Sequence, residues 1–214
     1  MKCHDWSKSH KLYLNFVIEA LVADYLIGSP TILADQEVER ELRASCVKHA
    51  IYLPAGALWG GEDIKRMNDL GTLQALKITM TKHPSCFKLN GYLKEKNASV
   101  TDEVITLYEG DVRSLCPLAP NNINTMAVAS MLASSLGFDK VIGKLVSDPQ
   151  LHEWHIVEVD AWGPGDMDSG KAFHVNTKRY NPAAIGAVTG TVTLTSFLSS
   201  LKNAVGKGPG VHLC

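Results

Sequence analysis

The stretch from Pro120 to Val159 constrains the chain more than any other, because it joins a helix-forming segment to a strand and places polar side chains at the start of each. Asn122 and Asn124 stand immediately before an apolar run of small residues with helical character. His155 begins a β-branched run that is typical of a strand. An Asn side chain offers a donor and an acceptor together, and His transfers protons near neutral pH. The pattern predicts a site in which these side chains meet.

The N-terminal third of the chain predicts a parallel α/β unit. Residues 25–28 are typical of a short buried strand, Asp35 of a helix N-cap, and residues 50–53 of a second strand. The helix between the strands would bury a stripe of residues spaced four apart: Val38, Leu42 and Cys46. Strand, helix and strand in this order favour parallel pairing, so the turn at 54–57 lies at the carboxyl end of a strand, where open α/β sheets bind ligands.

From Leu73 onward the pattern changes to short alternating segments, which predict a second, strand-rich region. Strands are predicted at residues 76–80, 104–107, 141–146, 155–159 and 173–175. The polar segment 94–102 is predicted to be a loop, and residues 124–136 a helix on one face of the sheet. Residues 188–201 fit a strand by the alternation of Thr191–Thr195 and a helix by their apolar spacing. The Gly-rich tail from Gly206 is expected to be mobile.

Charge and cysteine usage exclude several classes of function. Lys and Arg number 21 against 22 Asp and Glu, so the net charge of -1 and the absence of a basic run argue against nucleic-acid binding. The five scattered cysteines are typical of reduced thiols in a cytoplasmic protein. Residues 12–22 predict a helix. The largely apolar run from Leu12 to Ile27 is interrupted by Glu19 and Asp24, well short of the ~20 residues that a membrane span needs. We therefore expect no signal peptide and no membrane contact.

Several motifs follow one another in an order that resembles the catalytic domain of the L-aspartate dehydrogenase family, and its animal members in particular. They are Leu53–Gly60, Leu107–Arg113, Pro120–Asn124, Gly137–Asp139, Asp148–Pro149 and His155, within about residues 26–200. The resemblance implies an NAD- or NADP-dependent oxidoreductase that deaminates L-aspartate to iminoaspartate or to oxaloacetate and ammonia. It also implies an α/β protein that forms a homodimer, with an incomplete Rossmann-like nucleotide-binding domain at 1–71. An α+β catalytic and dimerisation domain with an open mixed sheet follows at 72–180, and a C-terminal helix at 181–214 returns to the first domain.

The resemblance assigns catalytic and cofactor-binding roles to individual residues. His155 takes the position of the family's catalytic histidine. Ala57 and Asn124 take positions that contact the cofactor, and we expect their neighbours Gly56 and Asn122 to contribute as well. Gly56 would let a flat nicotinamide ring approach the backbone closely. The structural alternatives are that His155 only makes hydrogen bonds within the protein, in or beside a sheet, and that Asn124 only caps a helix.

Two basic residues are the candidates for substrate binding. Arg113 belongs to a Glu-Gly-x-x-Arg stretch, and a guanidinium is the natural bidentate partner of a carboxylate, although a surface ion pair is an equal alternative. His83 lies in a Lys-His-Pro segment where many relatives have Arg-Lys-Pro. His152 and His155 are three residues apart, but no Cys or acidic cluster at the usual spacing completes a zinc site, so we expect no metal.

Dinucleotide phosphates are usually held by a Gly-x-Gly-x-x-Gly turn between a strand and a helix. We find no such turn in the sequence, so weak or absent activity is expected of this form. The leading hypothesis remains a dehydrogenase of L-aspartate. The alternatives are a non-catalytic, oligomerising member of the family and a dehydrogenase of another small amino acid or dicarboxylate.

Overall fold

The computed structural model describes residues 24–55 and 58–214, except for the side chain of Tyr25. The predicted helix over 12–22 and the predicted cofactor contacts Gly56 and Ala57 lie outside these residues. The strands are β1 Tyr25–Leu26, β2 Ala50–Leu53, β3 Ala75–Lys82, β4 Ile105–Asp111, β5 Ile142–Ser147, β6 Trp154–Trp162, β7 His174–Pro182 and β8 Gly210–Leu213. The helices are α1 Gln36–Ser45, α2 Gly61–Asp69, α3 Gly91–Ala98, α4 Val112–Leu115, α5 Asn124–Leu132, α6 Gly137–Lys140 and α7 Val192–Asn203. Within the described ranges, none of these helices has both the length and the hydropathy that crossing a bilayer requires.

The N-terminal part of the described chain forms the predicted parallel α/β unit. β1 and β2 pair in parallel, and α1 connects them. Asp35 caps α1, because its carboxylate accepts from the backbone N–H groups of Glu37 at 2.9 Å and Val38 at 3.2 Å. The stripe predicted to face the core is buried in full: Val38, Leu42 and Cys46. The carboxyl ends of β1 and β2 therefore lie side by side at one edge of this sheet.

β8 corrects the expectation of a mobile tail after Gly206. It pairs in parallel with β2, from Ala50 opposite Gly210 to Leu53 opposite Leu213, and completes a three-stranded sheet in the order β1-β2-β8. The backbone of Cys214 extends the pairing, because its N–H donates to the carbonyl of Leu53 at 3.0 Å. The glycine content suggested mobility, but four residues at the edge of an existing strand gain backbone hydrogen bonds that composition does not reveal.

The second sheet is open and mixed, as expected, with strand order β4-β5-β3-β6-β7. β3 and β5 are parallel, and the other neighbouring strands are antiparallel. The predicted loop at 94–102 is wrong over its first half, because α3 spans Gly91–Ala98 and buries Leu93 completely. A single buried residue anchors this helix, so the sequence carries no helical periodicity there. The ambiguous segment near the C-terminus forms the helix α7.

One face of the second sheet is buried, and its last row is polar. Side chains alternate along β3 and β6, so that every second residue of each strand points to the core. The final β3–β6 pair, Thr81 with Ile156, places the next residues on the two strands, Lys82 and His155, side by side. Four neighbouring buried residues form what we call the polar row: Ser147, Lys82, His155 and Asn181. The rest of this face is mainly apolar, so the polar row marks a site rather than a uniform core.

Candidate active site

A small cavity of about 70 Å³ lies over the polar row. Lys82 and His155 line its floor together with Asn181, which is paired with His155 across β6 and β7. Two connections cover it: residues 121–125, where α5 begins, and residues 188–193, where α7 begins. The cavity therefore brings together the asparagines at 122–124 and the histidine at 155, as the sequence predicts.

His155 is buried and neutral at physiological pH. Burial, together with the nearby positive charges of Lys82 and Arg179, lowers the pKa of its imidazole to about 4, although a hydrogen bond with the backbone of Ala187 acts the other way. Nε2 has no hydrogen-bond partner among the described residues, so the bond to Ala187 falls on Nδ1. A neutral ring that donates from Nδ1 presents the Nε2 lone pair to the cavity, as a proton acceptor requires.

Lys82 supplies a buried positive charge to the same cavity. Its side chain is only 4% exposed, and desolvation lowers its pKa to about 8, so the ammonium is still charged at pH 7. It donates to the carbonyl of Val188 at 2.9 Å and lies 5.8 Å from the centre of the Phe87 ring. One carbonyl and one ring face do not use all three donors of an ammonium. The remaining capacity suits an anion.

The charges around the cavity are of one sign. Arg179 lines the cavity beside Lys82, and burial lowers the pKa of its guanidinium. None of the described residues that line the cavity is Asp or Glu. A buried ammonium, Lys82, in a lining whose described residues include no carboxylate favours the binding of a negatively charged ligand.

The two predicted asparagines differ in what they do. Asn122 is buried, and both ends of its amide are engaged: Oδ1 accepts from the backbone of Lys88 at 2.8 Å, and Nδ2 donates to the carbonyl of Cys86 at 3.3 Å. It therefore holds the 86–88 segment in place. Asn124 is the first residue of α5, and the N-cap position before it belongs to Ile123, so Asn124 is not the helix cap. Its Oδ1 accepts from the Ser29 hydroxyl at 3.4 Å, which ties the cavity to the segment after β1.

The two predicted substrate-binding residues lie outside the cavity lining. Arg113 forms a bidentate ion pair with Asp139, with 2.8 Å between Nη2 and Oδ2, and also donates to the carbonyl of Ala34. This geometry favours the ion pair over the substrate contact. His83 comes directly after β3, which ends at Lys82, and its Nδ1 accepts from the backbone N–H of Ser85 at 3.3 Å. Lys82, and not His83, is among the residues that line the cavity.

A metal site at His152 is not supported. The His152 ring lies 5.4 Å from the ring of His83, between centroids, on the outside of the polar row. Within residues 24–55 and 58–214, no group of three or more His, Cys, Asp or Glu side chains could hold a metal ion.

A larger cleft of about 990 Å³ opens at the carboxyl ends of β2 and β8. Ala55 and Leu58, which flank the turn at 56–57, are part of its wall. Four basic side chains also line it, with two acidic ones: Arg43, Lys65, Lys202 and Lys207, and Glu62 and Asp69. It shares no described residue with the cavity over the polar row.

Gly190 is required for the shape of the cavity. A Cβ at this position would lie 1.8 Å from Nδ2 of Asn181, which is itself buried. We expect Gly190→Ala to displace the Asn181 side chain and to lower the stability by roughly 1–3 kcal/mol, the usual range for overpacking. Thermal unfolding measures this loss. Gly28→Ala is the matched control, because nothing lies within 4 Å of the added carbon and its φ, like that of Gly190, lies outside the left-handed region. Equal losses in the two variants would contradict the packing argument.

Comparison with known proteins decides the family. The family model for the C-terminal domain of aspartate dehydrogenase matches residues 63–204. The chain belongs to the aspartate dehydrogenase family. The match contains the second sheet and the whole polar row, and it bears out the resemblance drawn from the motifs.

Two named relatives illustrate the range of the family. The chain is 52% identical over 195 residues to an aspartate dehydrogenase domain-containing protein of Xenopus tropicalis, covering 90% of this chain and 69% of that protein. It is 31% identical over 131 residues to an L-aspartate dehydrogenase of Nitrosopumilus maritimus, covering 59% of this chain and 46% of that enzyme. The chain thus spans about half to two thirds of the length of these relatives.

A solved structure shares the fold. The crystal structure of aspartate dehydrogenase from Thermotoga maritima superposes with a TM-score of 0.60 at 22% identity, covering 86% of this chain and 66% of that one. This similarity supports the α/β fold class with a Rossmann-like part and a mixed-sheet part. At this identity it speaks to the fold alone.

Three lining residues were not singled out from the sequence as site residues: Lys82, Arg179 and Asn181. A signal for Lys82 was present, because it continues the alternating series Leu76, Ile78 and Met80 into the core. For β7 the signal is weak, since the predicted strand at 173–175 covers only two of its residues, His174 and Val175.

Proposed function

We propose that the cavity over the polar row binds a small dicarboxylic amino acid and that the protein acts as an aspartate dehydrogenase. The reaction is the oxidation of L-aspartate to iminoaspartate, which water converts to oxaloacetate and ammonia. One observation carries the proposal: a buried ammonium, Lys82, lies beside a buried neutral imidazole, His155, in one cavity. Both pKa values are lowered, that of Lys82 to about 8 and that of His155 to about 4, so at pH 7 the ammonium stays charged for anion binding and the imidazole stays neutral for proton acceptance.

The residues of the cavity suit each step of this reaction. Lys82 and Arg179 bind carboxylate oxygens and fix the ligand. The Nε2 lone pair of His155 takes a proton from the amino group, so that the nitrogen can form a double bond to the α-carbon as the hydride leaves. In the hydrolytic half, the same nitrogen takes a proton from the attacking water. A bound nicotinamide supplies the hydride acceptor.

The described residues fit the nicotinamide end of NAD or NADP. Asn124 lines the cavity and is tied through Ser29 to the segment after β1, where parallel sheets bind nucleotides. The larger cleft is lined by Ala55 and Leu58, the described residues on either side of 56–57 in the sequence, and its volume suits a large ligand. We propose Ala57 and Asn124 as cofactor contacts, with Gly56 beside them. For Asn122 the engaged amide supports an indirect role, since it shapes the cavity wall.

The proposed organisation keeps a nucleotide-binding part up to residue 71, a catalytic part at 72–180 and a returning C-terminal segment at 181–214. Its support is that β8 joins the first sheet, while β3 to β7 form the second.

A homodimer is part of the proposal. The surface we propose for it is the partly exposed face of the second sheet, which carries Trp154 and Tyr180. Light scattering measures the mass, and a monomer at micromolar concentration would contradict the dimer.

The enzyme proposal is tested by hydride transfer. The purified chain, and the same chain extended by the Gly-rich half of an animal relative, are incubated with L-aspartate and NAD or NADP while NADH or NADPH is followed. We expect turnover in the extended protein, with L-aspartate preferred over L-glutamate, L-alanine and L-malate. His155→Asn in the extended protein is expected to lower kcat by roughly 10²–10⁴-fold, as loss of a general base does. An extended protein that binds NADH but turns over none of these substrates would contradict the enzyme assignment.

A further inference from the structure

Asn181 belongs to the same cavity as His155 but has a different chemical capacity. It is buried, it lines the cavity, and its Oδ1 has no hydrogen-bond partner among the described residues. The same is true of Nε2 of His155. Buried polar atoms are nearly always hydrogen-bonded, so two neighbouring acceptors in this condition indicate that a ligand supplies the donor.

The positions of the two acceptors allow one donor group to reach both. His155 and Asn181 are direct partners in the β6–β7 register, on the same buried face of the sheet. Directly paired residues have Cβ atoms about 4.5–5.5 Å apart. A ligand nitrogen that carries two or three hydrogens can therefore donate to both side chains at once.

The two cations of the cavity cannot accept from such a donor, whereas Nε2 of His155 and Oδ1 of Asn181 are buried acceptors left without a partner among the described residues. Lys82 and Arg179 offer only N–H groups, which pair with carboxylate oxygens. The cavity therefore has a donor side, formed by these two cations, and an acceptor side, formed by His155 and Asn181. An α-amino acid has the matching arrangement of a carboxylate and an amino group on one carbon.

We propose that Asn181 and His155 together bind the α-amino group of the substrate, so that Asn181 selects amino acids over dicarboxylates that lack the amine. The inference rests on the proposed function and adds to it the residue that recognises the amine. Gly190 supports the arrangement, because its missing side chain leaves room for the Asn181 amide.

Calorimetric titration of the full chain with L-aspartate and with succinate separates amine recognition from carboxylate binding. Succinate has the same two carboxylates but no amino group. We expect the wild-type protein to bind L-aspartate about tenfold more tightly than succinate, the effect of about 1.4 kcal/mol of hydrogen bonding. Asn181→Leu is expected to bring the ratio of the two dissociation constants to about one, with succinate affinity changed less than about threefold. Asn181→Asp, which keeps the acceptor oxygens, is expected to retain a preference for the amine.

Asn176→Leu is the matched control, because Asn176 lies on the exposed face of the same strand and donates to Glu158 and Asp160. It is expected to keep the wild-type ratio. Thermal unfolding of each variant checks the fold, and the His155 Cε1–H resonance reports whether the amine reaches the ring, since it should move with L-aspartate and less with succinate. Equal loss of both ligands in Asn181→Leu, or an unchanged ratio, would overturn the inference while the dicarboxylate site stands. If the wild-type protein binds neither ligand, the proposed function fails as well.

Discussion

Lys82→Met is expected to stabilise the protein while it weakens dicarboxylate binding at least about tenfold. Lys82 is buried, and its pKa falls from 10.5 to about 8, so keeping it charged at pH 7 costs roughly 3 kcal/mol of folding free energy. Methionine has a similar length and no charge, but it loses the bond to the carbonyl of Val188. We therefore expect the free energy of unfolding at pH 7 to rise by about 1–3 kcal/mol, as when buried charges are replaced by apolar residues. Urea unfolding measures the change.

The same variant tests whether that unfavourable charge serves binding. Loss of the ammonium removes the main buried cation, so L-aspartate and succinate should both bind at least about tenfold more weakly. Lys144→Met is the matched control, because Lys144 lies on the opposite face of the same sheet and pairs with Glu109 at 2.9 Å. It should change stability by less than about 1 kcal/mol and leave binding unaltered. A clear loss of stability in Lys82→Met with normal ligand binding would mean that Lys82 is structural.

The second large effect is an acid-induced loss of stability that depends on His155. The unfolded histidine has a pKa near 6.5, and the folded one has a pKa of about 4. Between these values the unfolded state binds the proton and the folded state does not, so stability falls as the pH decreases from 6.5 to 4. The contribution is roughly 3 kcal/mol at pH 4 relative to pH 7. Above pH 6.5 His155 contributes no pH dependence.

Comparison with His155→Asn isolates this contribution from the carboxylates that titrate in the same range. The difference in unfolding free energy between the two proteins should change over pH 4–6.5 and stay constant above it. The His155 resonance gives the pKa directly, with a midpoint expected near 4. A midpoint at 6 or above would show a solvated, ordinary histidine, and the division of roles between Lys82 and His155 would be lost.

The sequence predicts the helices and strands around this site better than the residues that line it. The helix cap at Asp35 and the alternation of β3 depend on neighbouring residues, so local patterns reveal them. The resemblance singled out His155, and the fold places it in a cavity with Asn122 and Asn124. Strand register then makes Lys82 and Asn181 its neighbours, and register between distant strands has no local signature.

The two predicted substrate-binding residues, Arg113 and His83, lie outside the cavity lining, and local sequence patterns do not reveal this either. Arg113 has the chemistry of a carboxylate ligand, but its place on α4 gives it Asp139 as a partner, a contact that only the tertiary fold determines. His83 is one position from Lys82, but only Lys82 is among the residues that line the cavity. Composition failed at β8 as well, where pairing with β2 outweighs the glycine content of the tail.

A crystal structure of the protein soaked with L-aspartate tests most directly whether the polar row is a substrate site. We expect one ligand over β6, with a carboxylate within about 3 Å of the Lys82 ammonium and the amino nitrogen within hydrogen-bond distance of His155. L-aspartate bound in the larger cleft beside β8, or at neither place at saturating concentration, would contradict the assignment.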